Sequence, residues 1–241
     1  MPSINGDQSH QLLQVLGPNK TPQECLRYLA HQFPGKVTFS TSFSEEDQII
    51  AHIIFSEELP IKVFTLDTGR LFPETYSTWN QTLEKYQSKI TAYFPQADPL
   101  ETFIAENGPN AFYESVDLRK QCCSIRKVEP LQRAIANQQI WITGIRAEHS
   151  PNREDMPFIE WDEQNKINKV HPLLHWKQAE IHQYIQQHHI PVNPLHQKGF
   201  VSIGCAPCTR AIKPGEDFRA GRWWWEDASK KECGLHTHSN K

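Results

Sequence analysis

The stretch KVTFSTSFSEEDQIIAHIIFSEE, residues 36–58, decides the fold of this chain. Its first part, KVTFSTSF (36–43), is typical of a β-strand, and EEDQIIAHIIFSEE (45–58) is typical of a helix. The same alternation predicts further strands at 61–67, 89–95 and 139–146 and further helices at 73–87 and 123–138. Apolar strands that alternate with amphipathic helices indicate an α/β fold around a mostly parallel sheet.

The remaining segments differ in character from this alternation. Residues 158–173 predict a hairpin inserted before a helix at 176–189, and the chain after 190 is irregular and rich in Gly, Pro, Cys and Trp. We therefore expect three parts: an N-terminal helical segment (1–35), an α/β nucleotide-binding domain (36–204) and a cysteine-rich C-terminal segment of that same domain (205–241).

Composition excludes several classes of protein. The 241 residues carry a formal net charge of −3, whereas a protein that coats nucleic acid is usually basic. No apolar run approaches the roughly 18–20 residues that cross a bilayer, and the N-terminus MPSINGDQSH lacks the pattern of a signal peptide. We expect a cytoplasmic protein that binds neither nucleic acid nor membrane. Its Arg and Lys residues concentrate at 119–127 and 209–222, which suits a small anionic ligand.

Hydroxyl groups follow the first predicted strand. Ser40, Thr41, Ser42 and Ser44, together with the free N–H groups of a helix start, could hold phosphate oxygens. Ligands of open α/β sheets bind beyond the carboxyl ends of the strands, where this loop would lie. The alternative is an ordinary N-cap, with Ser44 capping and Asp47 at the third helical position.

The cysteines suggest metal chemistry. The adjacent pair 122–123 and the CxxC motif 205–208 provide four thiols, and CxxC is common among zinc and iron–sulfur ligands. Neighbouring thiols reach a single ion with strain, whereas a multi-iron cluster offers them different metal atoms. We therefore favour an iron–sulfur cluster, with zinc and a redox disulfide at CxxC as alternatives. Cys25 lies among core-type residues and is expected to be buried, and WWW (223–225) is expected to be a packing anchor rather than a nucleotide-stacking surface.

Seven blocks together resemble the assimilatory sulfonucleotide reductases, specifically the iron–sulfur-containing adenosine 5′-phosphosulfate (APS) reductases. They run in family order from about residue 36 to 236: SFSEEDQ, LDTGRLFPETY, CCSIRKVEPL, WITGIRAEHSPNR, PVNPLHQKGFVSIGCAPCTR, GRWWWE and KECGLH. The joint presence of CC, CxxC and ECGLH is highly specific. The resemblance implies a doubly wound, adenine-nucleotide α-hydrolase-like sheet with an irregular C-terminal segment.

The resemblance also implies a site. Metal ligands of a 4Fe–4S cluster would be Cys122, Cys123, Cys205 and Cys208. Cys233 would be the nucleophile, with His236 as support for the tail. The substrate anions would meet Lys127, Arg153, Arg219 and Arg222, and adenosine and phosphate would be held by Ser40, Ser42, Ser44, Leu66 and Gly144. Relatives commonly have small residues where Ser44 and Glu45 stand, which leaves open which hydroxyls of the loop contact substrate.

The reaction implied is reduction of APS to sulfite and AMP through an S-sulfocysteine on Cys233, resolved by thioredoxin, in sulfate assimilation towards cysteine. The alternatives are a reductase of the 3′-phosphorylated substrate (PAPS), or one that accepts both nucleotides. An ATP-pyrophosphatase-type enzyme would carry a Ser-Gly-Gly-x-Asp-Ser loop, which the sequence lacks, and a zinc-bound interaction module would carry no iron. The sequence leaves open a homo-oligomer, the role of the cluster and the role of His236.

Overall fold

The structure, a computed structural model, describes residues 6–17, 20–149 and 156–227. The chain divides into two compact units. The first comprises residues 1–65, 74–91 and 135–193, and the second comprises 66–73, 92–134 and 194–241. The three-part division expected from the sequence stays a prediction.

Six strands form one sheet in the order β3-β2-β1-β4-β6-β5. β1 lies parallel to both β2 and β4, β4 lies parallel to β6, and β5 pairs with β6 in the antiparallel direction. The strands are Val37–Ser40, Lys62–Leu66, Thr91–Tyr93, Ile140–Ile142, Ile159–Asp162 and Ile167–Val170. The mostly parallel, doubly wound sheet predicted from the alternation is confirmed. Because the chain winds away from β1 on both sides, the β1–β4 border is the topological switch point, where such sheets bind ligands.

Helices connect these strands and add to the predicted set. The helices expected after β1 and β2 and before the C-terminal segment are confirmed with shorter bounds, whereas α1 and α5 were not predicted. The α-helices α1 to α8 are Gly6–Leu16, Pro22–Gln32, Glu45–Ser56, Pro73–Tyr86, Ala97–Asn107, Val116–Cys123, Glu129–Ile135 and Gln178–His188. In the part of the chain that the structure describes, no helix is long and apolar enough to span a membrane.

The helix predicted at 123–138 has different bounds and a different form. Helical structure begins at Val116, passes through a π-helical turn at Ser124–Val128 and ends at Ile135. Ser115 accepts a hydrogen bond from Leu118 N at 3.1 Å and so fixes the earlier start. The run VDLRKQ at the start of this helix is charged and polar. It lacks the periodic apolar residues on which the prediction depended, so the earlier start was not predicted.

The core of the first unit lies around the central strands. Phe39, Ile142 and Val170 are fully buried there with Ile50 of α3. Cys25 of α2 is also fully buried, and burial raises its pKa to about 12. The expectation that Cys25 is an ordinary core residue is therefore confirmed.

A buried ion pair joins the start of α3 to the loop after β4. Arg146 Nε donates to Glu46 Oε1 at 2.8 Å, and the two side chains are 1% and 7% exposed. His149 Nε2 lies 3.0 Å from the same oxygen. Burial acts to raise the pKa of Glu46, but His149 and Arg146 together outweigh it and hold that pKa at about 2. This pair therefore fixes the backbone on both sides of the switch point.

Glu46→Gln should destabilise the protein by up to about 3–5 kcal/mol at pH 7, because it removes the buried carboxylate partner of Arg146, and the remaining ion pair is with Glu148, whose side chain is 39% exposed. The folded-state pKa of about 2 lies below the ordinary value of 4.5, so this stabilisation is present above pH 4.5 and is lost as the pH falls towards 2. Denaturant unfolding of both proteins at pH 7 and pH 4 measures the difference, which should shrink at the lower pH.

Glu57→Gln is the matched control for Glu46→Gln. It removes a carboxylate paired with Arg27, whose side chain is 59% exposed, so the free energy of unfolding should fall much less than in Glu46→Gln. Equal losses from the two variants would show that the buried pair does not stabilise the fold.

Candidate functional site

The loop between β1 and α3 is held by its own side chains. Asp47 Oδ2 accepts hydrogen bonds from Ser42 N at 2.6 Å and from Ser42 Oγ at 2.7 Å. Ser44 Oγ accepts from Asp47 N at 3.3 Å and caps α3. Phe43 takes φ 63°, a left-handed conformation that few non-glycine residues adopt. This loop, residues 40–47, has a defined shape before any ligand binds.

The predicted substrate hydroxyls differ in what they still offer a ligand. Ser42 is exposed, but its hydroxyl hydrogen is directed to Asp47, so its oxygen is left as an acceptor. Ser44 accepts from the backbone and keeps its hydrogen. Ser40 Oγ accepts from Trp141 Nε1 at 2.9 Å and likewise keeps its hydrogen for donation. Leu66, the last residue of β2, is half-buried.

Gly144 follows β4 and lies against the helix start. An added Cβ at this position would stand 2.2 Å from Asp47 Oδ1 and 3.2 Å from Glu46 Cβ. Burial raises the pKa of Asp47 to about 6, against the opposing effect of the hydrogen bonds from Ser42. Asp47 is thus ionised at neutral pH and packed against the glycine.

The second unit contains a cavity lined by all four predicted metal ligands. Cys122 and Cys123 end α6, Cys205 precedes the 3₁₀ turn Ala206–Cys208, and Cys208 is the last residue of that turn. Other residues lining this cysteine cavity are Arg70, Phe112, Arg119, Arg126, Lys127 and Pro207. The two cysteine motifs, about 80 residues apart in sequence, therefore meet as predicted.

The π-helical turn places cysteines and cations on one face. Cys122, Cys123, Arg126 and Lys127 all line the cavity although they span six consecutive positions. A π turn holds more residues per turn than an α-helix, which brings positions four and five apart closer in angle. Such π-bulges occur frequently at functional sites.

The charge in the cavity differs among the thiols. Burial acts to raise the pKa of Cys205, but Lys127, a hydrogen bond with Thr68 and Arg222 together lower it. Thr68 Oγ1 lies 3.2 Å from the Cys205 sulfur. Burial and the neighbouring Cys205 raise the pKa of Cys208 to about 12. The cavity therefore favours ionisation of Cys205 and disfavours that of Cys208, and binding of a metal centre would supply positive charge that favours both thiolates.

The donor set fits an iron–sulfur cluster, because four thiols line one cavity and each could bind a different iron. The walls are largely buried and include Phe112, which excludes water.

Carboxylate partners distinguish the cations of the second unit. Arg119 makes two bonds to Glu226, at 2.9 and 2.7 Å, and both side chains are buried. Arg210 pairs with Glu216 at 2.8 Å. In contrast, the buried Arg222 has an Nε atom without a hydrogen-bond partner in the described part of the chain. Arg222 therefore keeps donor capacity for an anion.

The tryptophan run anchors the C-terminal segment, as the sequence analysis favoured. Trp223 is 1% exposed, and its ring lies 4.6 Å from the Arg119 guanidinium carbon and 4.8 Å from that of Arg222. Arg219 lies 5.9 Å from the same ring. Trp225 packs edge-on to Tyr113 at 4.4 Å. Trp223 thus holds two of the predicted substrate-binding arginines in place.

Three predicted site residues, Arg153, Cys233 and His236, lie outside the described residues. Conversely, the structure adds Asp47, Thr68 and Trp141 to the residues that shape these sites. The sequence signal for Asp47 was its position three residues after a capping serine, which was interpreted only as a capping box. Thr68 lies in LDTGR, where the sequence places polar groups at the carboxyl end of the second strand, a position that favours a ligand site. Nothing in the local sequence distinguished Trp141.

Known proteins resemble this chain over most of its length. The profile of the phosphoadenosine phosphosulfate reductase domain matches residues 36–211. An adenosine 5′-phosphosulfate reductase from Burkholderia cepacia is 51% identical over 201 residues, which are 83% of this chain and 80% of that protein. One from Allochromatium vinosum is 48% identical over 200 residues, 83% of this chain and 78% of that protein.

A solved structure agrees with this assignment. Phosphoadenylyl-sulfate reductase from Candida auris, in a phosphate complex, superimposes with a TM-score of 0.73 and 28% identity over 88% of this chain and 99% of its own. The fold, the profile and the identity of the relatives confirm the resemblance found in the motifs. The chain belongs to the phosphoadenosine phosphosulfate reductase domain family.

Proposed function

We propose that this protein is an oxidoreductase that reduces APS to sulfite and AMP in sulfate assimilation towards cysteine. The observation that carries the proposal is the cavity in which four cysteines meet Lys127 and Arg126. The relatives at about half identity are named APS reductases, which favours APS over PAPS.

We assign a 4Fe–4S cluster to Cys122, Cys123, Cys205 and Cys208. When bound, the cluster would cross-link the two segments that carry these cysteines and add negative charge to the cavity. Lys127, 9% exposed, and Arg126, 6% exposed, offset that charge and keep the thiolates ionised.

We assign the anionic end of the nucleotide to Lys127, Arg153, Arg219 and Arg222. A thiolate that approaches a sulfonate meets electrostatic repulsion, and negative charge then moves onto the leaving phosphate. Fixed cations offset both, and a guanidinium matches the geometry of phosphate and sulfonate oxygens. The support in the described residues is the unpartnered Nε of Arg222, held in place by its contact with Trp223.

We assign the adenosine and its phosphate to Ser40, Ser42, Ser44, Leu66 and Gly144. The support is their position at the carboxyl ends of parallel strands, with the N-terminus of α3 beside the switch point between β1 and β4. Ser40 and Ser44 keep hydroxyl hydrogens to donate to oxygens of the nucleotide.

The chemistry proceeds through Cys233 in two steps. Its thiolate attacks the sulfur of APS, an S–S bond forms, the S–O bond to AMP breaks, and AMP leaves with the bonding electrons. A thiolate of reduced thioredoxin then attacks the Cys233 sulfur, sulfite leaves with the S–S electron pair, and the second thioredoxin thiol closes a disulfide. The dithiol supplies both electrons. Because this scheme needs reduced thiols, we assign the protein to the cytoplasm.

We further assign a supporting role in the tail to His236, three residues after Cys233. A residue this close in sequence to the nucleophile would orient the Cys233 thiolate for its attack on APS.

The substrate is tested directly with anaerobically purified protein and reduced thioredoxin. We expect kcat/KM for sulfite release to be higher with APS than with PAPS, because the 3′-phosphate has no partner assigned in this scheme. Sulfite release from PAPS at a higher kcat/KM would replace this proposal by the PAPS alternative, and equal values would indicate dual specificity.

The cluster is tested by the visible spectrum. The wild-type protein should absorb broadly near about 400 nm and contain iron and sulfide, as thiolate-ligated iron–sulfur centres do. Cys205→Ser should lose this absorption, whereas Cys25→Ala, at a buried thiol outside the cavity, should keep it. A colourless wild-type protein that contains zinc would contradict the assignment.

The nucleophile is tested by intact-mass analysis after incubation with APS in the absence of thioredoxin. Wild type and Cys25→Ala should gain one SO₃ group. Cys233→Ser should keep its colour, bind the nucleotide and form no adduct. Its rate of sulfite release should be lower than that of wild type by roughly 10³-fold or more. An adduct or normal turnover in Cys233→Ser would move the nucleophile to another residue.

A further inference from the structure

Gly144 lies close against the side chain of Asp47, beside the loop between β1 and α3. A methyl group at 144 would stand 2.2 Å from Asp47 Oδ1 and 3.3 Å from Asp47 Cγ. No φ in the left-handed region is involved, since Gly144 is absent from the glycines with positive φ. The requirement for glycine at 144 is therefore one of space, not of backbone conformation.

Neither neighbour of Gly144 is free to move aside. The other oxygen of Asp47 is held by both the backbone N–H and the hydroxyl of Ser42, at 2.6 and 2.7 Å. Glu46, whose Cβ lies 3.2 Å from the added methyl group, is tied to the buried Arg146. A side chain at 144 would displace the Asp47 carboxylate more readily than it would move the backbone of α3. The displaced carboxylate would lose its hydrogen bonds to Ser42.

We propose that Gly144 and Asp47 act as one positioning unit for the first loop. Glycine at 144 leaves room for the Asp47 carboxylate, and Asp47 fixes Ser42 and the loop that runs from Ser40 to Ser44. Gly144 then acts on the nucleotide through Asp47. Where it concerns the nucleotide, this inference rests on the proposed function.

The alternative is that glycine at 144 lets a ligand approach the backbone directly. The two explanations differ in a double-mutant cycle, because residues that act through one another are not additive. If Gly144 acts through Asp47, a methyl group at 144 does little further harm once the carboxylate is gone, because only the 3.2 Å contact with Glu46 Cβ then remains close. If it meets the ligand, its effect persists in the absence of Asp47.

The experiment compares wild type, Asp47→Ala, Gly144→Ala and the double variant. The Kd of AMP is measured by calorimetry, and KM and kcat are measured with APS. Each single variant should weaken AMP binding about ten- to a hundredfold, because a charge-assisted hydrogen-bond pair is lost. The double variant should lie within about twofold of Asp47→Ala. KM should rise while kcat at saturating APS stays close to the wild-type value. A variant that was only less stable would not show this separation of KM from kcat.

Gly17→Ala is the control for adding a methyl group, since Gly17 meets only Leu13 O, at 3.3 Å, and should leave the Kd unchanged. If the change in the Kd of AMP in the double variant equals the product of the two single-variant changes, the inference is overturned. A Gly144→Ala protein that binds AMP like wild type would overturn it as well. If Gly144→Ala does not fold, recovery of folding in the double variant supports the contact, and its absence refutes it.

The free energies of unfolding of the four proteins give the same cycle without a nucleotide. A wild-type protein that neither binds AMP nor reduces APS would refute the proposed function. The unfolding cycle would then still decide whether Gly144 acts through Asp47.

Discussion

The geometry of the first loop depends on the buried Arg146–Glu46 ion pair. Burying a charged arginine is costly unless it is paired, and Arg146, 1% exposed, pairs with Glu46 at 2.8 Å and with Glu148 at 2.6 Å. This pair places the first turn of α3 against the backbone that follows β4. Asp47, the next residue along α3, is thereby brought against Gly144. The buried charge of Arg146 thus fixes the position of α3, and the position of α3 in turn fixes the shape of the first loop.

The second unit also buries groups whose charge needs compensation, in this case the thiols of four cysteines. Four thiols and four cations, Arg70, Arg119, Arg126 and Lys127, line one cavity. Burial acts to raise the pKa of Cys205, but Lys127, Thr68 and Arg222 together lower it. For Cys208 in the same cavity and Cys25 in the first unit, burial prevails and the pKa of each is raised to about 12. Among these three cysteines, the surroundings therefore favour a thiolate only at Cys205.

The sequence predicted the sheet because strand–helix alternation is a short-range pattern. A shared site for CC and CxxC was predicted from the chemistry of four thiols, since the two motifs lie about 80 residues apart and no local pattern joins them. The start of the helix at Val116 and the π turn at Ser124–Val128 left no such pattern. Likewise, the hydrogen bond from Trp141 to Ser40 joins residues 101 positions apart, and its existence depends on β1 and β4 being neighbours. Contacts that depend on topology become predictable only after the topology is known.

The same argument applies to the cations. In the sequence, Arg119, Arg146, Arg210 and Arg222 are equivalent basic residues near interesting motifs. In the structure, the first three have carboxylate partners, Glu226, Glu46 and Glu216, and these partners account for their charge. Arg222 is buried beside Trp223 with an Nε that has no hydrogen-bond partner among the described residues. Leaving a buried donor unsatisfied costs about 1–3 kcal/mol, which a bound anion would recover. A basic residue is therefore a candidate for substrate binding when a buried donor of its side chain has no acceptor in the protein. Among these four arginines the criterion selects Arg222, and the buried Nε of Arg126, which lines the cysteine cavity, meets it as well.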